Sequence, residues 1–145
     1  MGEQWVRMRR HLAAPPRRVF RAWSDPEELA RWFPEQVEGG GLAVGARTTL
    51  VWPEQRTWWE VVEAYPERSF VFRWPWLDER LVTTVRVTLT PIGYGTRVDL
   101  EDGPFPIDDP GVLEAWAEAL EGWAEALAQL RAHLDFSVDL RPRGL

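Results

Sequence analysis

The chain has 145 residues, 45% of them hydrophobic, which suits a single domain with a real core, and we expect one domain over residues 1–145. Its formal net charge of −6 argues against general nucleic-acid binding, and the absence of cysteine excludes a disulfide framework and thiolate chemistry. No apolar run approaches the roughly 18 residues of a membrane span and no signal peptide opens the chain, so the sequence predicts a soluble, cytoplasmic protein.

The first third of the chain reads as a strand followed by two short helices. Residues 4–12 alternate between apolar and polar side chains, which is typical of a half-buried strand. A helical period follows up to Ser24. Asp25 and Pro26 then indicate the N-cap and first position of a second short helix, in which Glu28 is placed to close a capping box.

Residues 38–45 are rich in glycine, and after them the apolar period changes to two. This pattern predicts five more strands separated by short turns, over residues 47–52, 57–65, 69–76, 81–90 and 96–101. Connections this short favour antiparallel neighbours. Together with the first strand they give a curved six-stranded antiparallel sheet.

The last predicted element is a long helix from Asp109 to about Phe136, with Asp109 as its N-cap. One face carries an apolar stripe that must be buried, so we expect the helix to lie in the concave face of the sheet. Gly122 within the helix indicates a close approach of backbone or ligand. Residues 141–144 are expected to form a frayed tail. The stripe consists of Leu113, Trp116, Ala117, Leu120, Trp123, Ala124, Leu127, Leu130 and Leu134.

The stretch from Ala14 to Phe33 resembles the opening of START-like, helix-grip proteins, and in particular the bacterial branch related to the activator of the Hsp90 ATPase. Similar segments continue in the same order at residues 60–68, 70–72, 95–100 and 122–127. The resemblance implies an α+β helix-grip fold with a cavity between the C-terminal helix and the sheet, often used for apolar ligands. Before Glu60, where the family has a small residue, this chain has Trp59, which takes up cavity volume.

Ten tryptophans are the outstanding feature of the composition, and aromatic walls suit a pocket for apolar ligands. The alternative is that these side chains simply fill the space between helix and sheet. The three glycines Gly39–Gly41 leave their loop free to move, so we expect an entrance there, gated by Trp32 and Phe33. The predicted ligand-binding residues are Trp32, Phe33, Trp59, Phe72, Trp74, Trp116, Leu120 and Trp123.

The sequence predicts no catalytic residues, no metal site and no cofactor. Neither His11 nor His133 has neighbours at metal-ligand spacing, and His133 is expected to interact with the helix dipole. Residues 99–103 loosely resemble a calcium loop with incomplete oxygens, so we expect a solvated strand end.

Glu63 is the one carboxylate that the sequence suggests as a general acid or base. It shares the alternation face of Trp59 and Val61, and a buried carboxylate there would have a perturbed pKa. Because the strand is apolar on both faces, however, the sequence does not decide which face points to the core.

The preferred interpretation is non-enzymatic binding of a small hydrophobic or amphipathic ligand between the last helix and the sheet. The alternative, implied by the resemblance, is a co-chaperone-like protein-interaction module, which would need an exposed apolar patch that the sequence has no spare stripe to build. The absence of lysine and asparagine is compatible with a thermophilic host, although a GC-rich genome would bias the codons in the same way.

Overall fold

A computed structural model describes residues 2–142, in which seven strands form one antiparallel sheet of order β1-β7-β6-β5-β4-β3-β2. The long helix α3 lies against β1 and β7, and two short helices follow β1. The predicted α+β fold with a long C-terminal helix on an antiparallel sheet is therefore confirmed. The elements are β1 (Glu3–Leu12), α1 (Pro16–Ser24), α2 (Pro26–Trp32), β2 (Gln36–Glu38), β3 (Arg47–Trp52), β4 (Gln55–Tyr65), β5 (Ser69–Trp76), β6 (Leu81–Ile92), β7 (Gly95–Pro106) and α3 (Val112–Phe136).

The sheet has one strand more than the six that the sequence predicts. The additional strand, β2, has three residues and pairs only with β3, where Gln36 lies opposite Val51. Three residues are too few to display an alternation of polar and apolar side chains, so the period-two signal could not reveal this edge strand.

Helix α3 begins at Val112, because Gly111 adopts a left-handed conformation (φ 81°) immediately before it, and Asp109 is not its N-cap. The helix turns small residues toward the sheet, with Ala115 and Ala119 at most 2% exposed. Trp123, Leu127 and Leu130 are buried as predicted, whereas Leu113 is 50% exposed and Trp116 and Leu120 are only half-buried. The predicted stripe is therefore rotated, because alanines let the helix approach the sheet more closely than larger side chains would.

Two predictions concern glycines. Gly122 is exposed, and a side chain there would meet no atom within 4 Å, so the expected close approach of backbone is wrong, whereas an approach of a ligand stays a prediction. Gly41 is buried, its Cβ would lie 2.2 Å from the Ser24 carbonyl oxygen, and its own carbonyl accepts a hydrogen bond from Trp59 Nε1 (2.9 Å). Gly41 thus forms a tightly packed corner of the loop, and an entrance at this loop stays a prediction.

Strand β4 contains a β-bulge between Val61 and Glu63. The extra residue shifts the alternation, so Trp59 and Val61 are buried while Glu63 turns to the outer face of the sheet and pairs with Arg86 (3.4 Å). The suggested buried carboxylate at Glu63 is therefore wrong, because the bulge reverses the side on which it lies.

Candidate functional site

The space between α3, the short helices and the sheet is filled by aromatic rings in mutual contact. Centroid separations are 4.5 Å for Trp59–Phe72, 5.0 Å for Trp23–Trp32 and 5.1 Å for Trp74–Trp123. Each ring is at most 6% exposed. We call this set the aromatic cluster; it comprises Trp23, Trp32, Phe33, Trp59, Phe70, Phe72, Trp74 and Trp123.

Six of the eight predicted ligand-binding residues belong to the aromatic cluster: Trp32, Phe33, Trp59, Phe72, Trp74 and Trp123. Trp116 does not, because its indole Nε1 donates to the Trp5 carbonyl oxygen (3.1 Å) on the flank of α3. Leu120 packs against the core without being fully enclosed. The ligand-binding role of these residues stays a prediction. A ligand that entered the cluster would have to separate rings that are in contact.

A buried carboxyl, Asp102, joins α3 to the sheet at one border of the aromatic cluster. It is 0% exposed and accepts hydrogen bonds from Trp123 Nε1 (2.9 Å) and from the Thr83 hydroxyl, which in turn accepts one from Trp76 Nε1 (3.0 Å). Burial raises the pKa of Asp102 to about 6, and the hydrogen bonds limit the rise. The prediction of a solvated strand end is wrong, because β7 continues to Pro106 and Asp102 lies on its inner face.

A second buried carboxylate, Glu28, connects the three helices. Its Oε2 accepts from Arg18 Nη1 (2.5 Å) on α1 and lies 2.9 Å from His133 Nε2 on α3. Burial raises the pKa of Glu28, but the hydrogen bonds and charges of His133 and Arg18 outweigh it, so the pKa is lowered. Glu28 thus forms an inter-helix ion pair instead of the predicted capping box, and His133 has an acidic partner rather than only the helix dipole.

An open apolar groove of about 410 Å³ lies between the C-terminal half of α3, β1 and the segment after the helix. We call it the edge groove. Leu127 and Ala132 are buried beneath it, whereas Phe136, Val138 and Leu140 are 69%, 46% and 52% exposed. The lining residues are Arg10, Leu127, Ala128, Arg131, Ala132, Phe136, Val138 and Leu140.

The wall of the edge groove formed by the segment after α3 is anchored. Arg141 Nη1 donates to the carbonyl oxygens of Ala30 and Pro34, each at 2.7 Å, and its guanidinium pairs with Asp139 (2.9 Å). The predicted frayed tail is therefore wrong at Arg141; its last two positions, 143 and 144, lie outside the described residues.

In the described part of the chain, the two arginines of the edge groove donate hydrogen bonds only to backbone carbonyls. Arg10 Nη1 donates to the Arg9 carbonyl oxygen (3.0 Å), and Arg131 donates through Nε (3.2 Å) and Nη2 (2.5 Å) to that of His11. Within residues 2–142, neither guanidinium has a carboxylate within ion-pair distance. Arg10 is not among the predicted site residues, although it falls on the alternation face of Val6, Met8 and Leu12, and this position was the signal that could have identified it.

A second depression, of about 420 Å³, lies on the outer face of the sheet and is polar. There Arg9 pairs with Asp99 (2.7 Å), and Glu101 lies 3.5 Å from Arg7 and 4.0 Å from Arg86. Burial raises the pKa of Asp99, but Arg9 and Arg97 outweigh it and lower the pKa. The arginines of this polar depression thus have partners of their own.

No group of three or more His, Asp or Glu side chains that could hold a metal ion is present among the described residues. Over the same residues, no helix combines the length and apolar character needed to cross a membrane.

A long C-terminal helix lying on an antiparallel sheet, with two short helices after the first strand, defines the START-like helix-grip class. Residues 13–135 match the model of the family described as Activator of Hsp90 ATPase homolog 1-like protein. The chain therefore belongs to this family. No curated protein sequence matches the chain.

Several solved structures share this fold. Protein MLL2253 from Mesorhizobium loti is 25% identical, with a TM-score of 0.81 over 94% of this chain and 100% of that one. DynU16, a protein of the dynemicin biosynthetic locus, is 25% identical with a TM-score of 0.82; the match covers 97% of this chain but 51% of DynU16, so this chain spans about half its length. The Aha1 dimer from Colwellia psychrerythraea, at 16% identity and a TM-score of 0.80 over 92% and 97% of the two chains, shows the fold alone.

Proposed function

We propose that this chain binds a small amphipathic ligand, without turnover, in the edge groove. The observation that carries the proposal is the apolar groove of about 410 Å³, whose outer wall is tied down by Arg141. That volume falls within the range of roughly 300–1,000 Å³ typical of small-molecule pockets. Because the neighbouring aromatic cluster is closed, we place the ligand at the edge between helix and sheet rather than in the interior.

Binding without turnover is supported by where the described acidic groups lie. Asp102 is fully enclosed by Thr83 and Trp123, and Glu28 is engaged by Arg18 and His133. Neither carboxyl group lines the edge groove. A general acid or base must reach the group on which it acts, and these two do not reach a ligand in this position.

Isothermal titration calorimetry with 1-decanol as the probe tests the proposal. Ala128 is exposed and lines the groove, so Ala128→Trp should fill it and abolish the saturable heat without disturbing the core. Ala117→Trp, at an exposed position of α3 outside the groove, is the matched control and should bind like the parent chain. Amide chemical-shift changes should concentrate at residues 127–140.

Unchanged binding by the Ala128→Trp variant, with shifts at Trp32 and Trp59 instead, would favour the interior site that the sequence predicts. No saturable heat from neutral or charged amphiphiles would contradict the proposal.

The exposed side chains of Phe136, Val138 and Leu140, together with the family name, favour a second function: a co-chaperone-like module that acts on an Hsp90-type ATPase. We rank it second because the eight lining residues are fewer than the roughly 20–30 per side of a stable protein interface. The test is the ATPase rate of the host's Hsp90 homologue with and without this chain. A stimulation lost in Phe136→Ser would support the module, and an unchanged rate would contradict it.

A further inference from the structure

We infer that the ligand of the edge groove carries a carboxylate, bound by Arg10 and Arg131 at one end of an apolar chain. This inference rests on the proposed function and adds the chemical class of the ligand. The charge of the groove is the first observation: its lining, over the described residues 2–142, contains two arginines and no acidic side chain.

Arg10 lies on the face of β1 that otherwise carries apolar side chains. On the same face of β1, Val6 and Leu12 are at most 4% exposed and Met8 packs against the core. A half-buried cation on an apolar face is costly unless it is paired and hydrogen-bonded. Within residues 2–142 its guanidinium makes one hydrogen bond, to the neighbouring Arg9 carbonyl, which leaves most guanidinium donors of Arg10 available.

Arg131 brings a second guanidinium to the same end of the groove. Its Nε and Nη2 hold the carbonyl of His11, the residue next to Arg10, while Nη1 makes no hydrogen bond within residues 2–142. The backbone contact fixes the guanidinium in place and leaves some of its N–H donors directed toward the groove. A planar carboxylate matches such donors in geometry and charge.

Among residues 2–142, the other charges near this end of α3 do not cancel the two arginines, since Asp139 pairs with Arg141 (2.9 Å). The C-terminal end of a helix carries about half a negative charge, less than the two positive charges that face it. Asp135 is engaged by the amides of Ala13 (2.8 Å) and Ala14 (3.2 Å). In the polar depression, by contrast, acidic side chains already pair with the arginines. Charge complementarity therefore favours an anionic head, and the apolar lining favours a hydrocarbon tail.

Calorimetry with decanoate and 1-decanol, which share a chain and differ in the head group, tests the inference. Decanoate should bind more tightly than 1-decanol to the parent chain, and added salt should weaken only decanoate. Arg10→Gln and Arg131→Gln should each weaken decanoate about tenfold or more, as expected for a lost charge-assisted hydrogen bond, and change 1-decanol less than about twofold. Arg17→Gln, an exposed arginine on α1 outside the groove, controls for net charge.

Equal affinity for the two probes, or equal losses in the glutamine variants, would overturn the carboxylate assignment and leave the proposed function standing. Binding of neither probe would contradict the proposed function itself and the inference with it. Because Arg131 also holds β1, unfolding of Arg131→Gln is checked by circular dichroism, and Arg10→Gln then decides the question alone.

Discussion

The aromatic cluster and the edge groove share helix α3 but differ in how far their side chains are exposed to water. In the cluster, Trp123 is 3% exposed and touches Phe33, Phe72 and Trp74, so its rings stabilise the fold by mutual burial. In the groove, Phe136 is 69% exposed, and its apolar surface is available to a ligand.

Abundant aromatic residues therefore need not mark a binding site. A ring already surrounded by other rings has no surface left to offer, whereas a few half-covered side chains at the sheet edge keep theirs. Substitutions in the two regions should therefore separate stability from binding.

The largest expected effect is in the aromatic cluster. Trp123→Ala should lower the free energy of unfolding by about 3–5 kcal/mol, because it opens a cavity and leaves Asp102 without one of its donors. Leu113→Ala, at a 50% exposed position of the same helix, should change it by less than about 0.5 kcal/mol. Urea denaturation measures both, and equal small losses would show that the cluster does not stabilise the fold.

Asp102 should give the cluster a dependence on pH. Burial raises the pKa of Asp102 to about 6, so the folded state holds the proton more tightly than the unfolded chain. Its stabilising contribution is present below about pH 4 and is lost as the pH rises through about 6, a change of about 3 kcal/mol. Between pH 3 and 7, the stability of Asp102→Asn relative to the parent chain should rise by about this amount in urea titrations. A stability difference that does not change with pH would contradict the raised pKa of Asp102.

Glu28 should show the opposite dependence with a smaller magnitude. The pKa of Glu28 is lowered in the folded state, so its ion pair stabilises above the unfolded pKa and is lost as the pH falls through the folded value. Glu28→Gln should cost about 1.5–3 kcal/mol at pH 7, because hydrogen bonds to a charged group are lost. The cost should shrink by pH 3, and denaturation at both pH values checks it; a cost that persists at pH 3 would point to packing instead.

The smallest effect on stability is expected in the edge groove. Phe136→Ser removes a mostly exposed ring, so the free energy of unfolding should change by less than about 0.5 kcal/mol. The same variant should weaken binding of 1-decanol, which calorimetry detects. A large loss of stability would mean that the groove is part of the core.

Most of the fold was predictable because alternation and helical periodicity follow directly from backbone geometry. The same rule could also have placed Asp102 and Arg10. Extending the alternation of Val98 and Leu100 by one step places Asp102 on the inner face, and the alternation of β1 does the same for Arg10.

Other features had no local signal. Glu28 and His133 meet although they lie 105 positions apart, and only the packing of α3 against α2 brings them together. The sequence also could not show whether the aromatic cluster is open or closed, because that depends on how rings from five elements (α1, α2, β4, β5 and α3) fit one another. The edge groove depends on Arg141 reaching back to α2, another long-range contact.

The bulge in β4 has a consequence for how the chain can change length during evolution. Around it, Trp59, Val61 and Ala64 face the core at a spacing of two and then three, because Val62 is the additional residue. Deleting Val62 would restore strict alternation while Trp59, Val61 and Ala64 stay on the core face. Removing Gly93, at the tip of the β6–β7 hairpin, would exchange no face. Length variation among homologues should therefore occur at hairpin tips and at Val62, rather than at the regularly alternating positions of the strands.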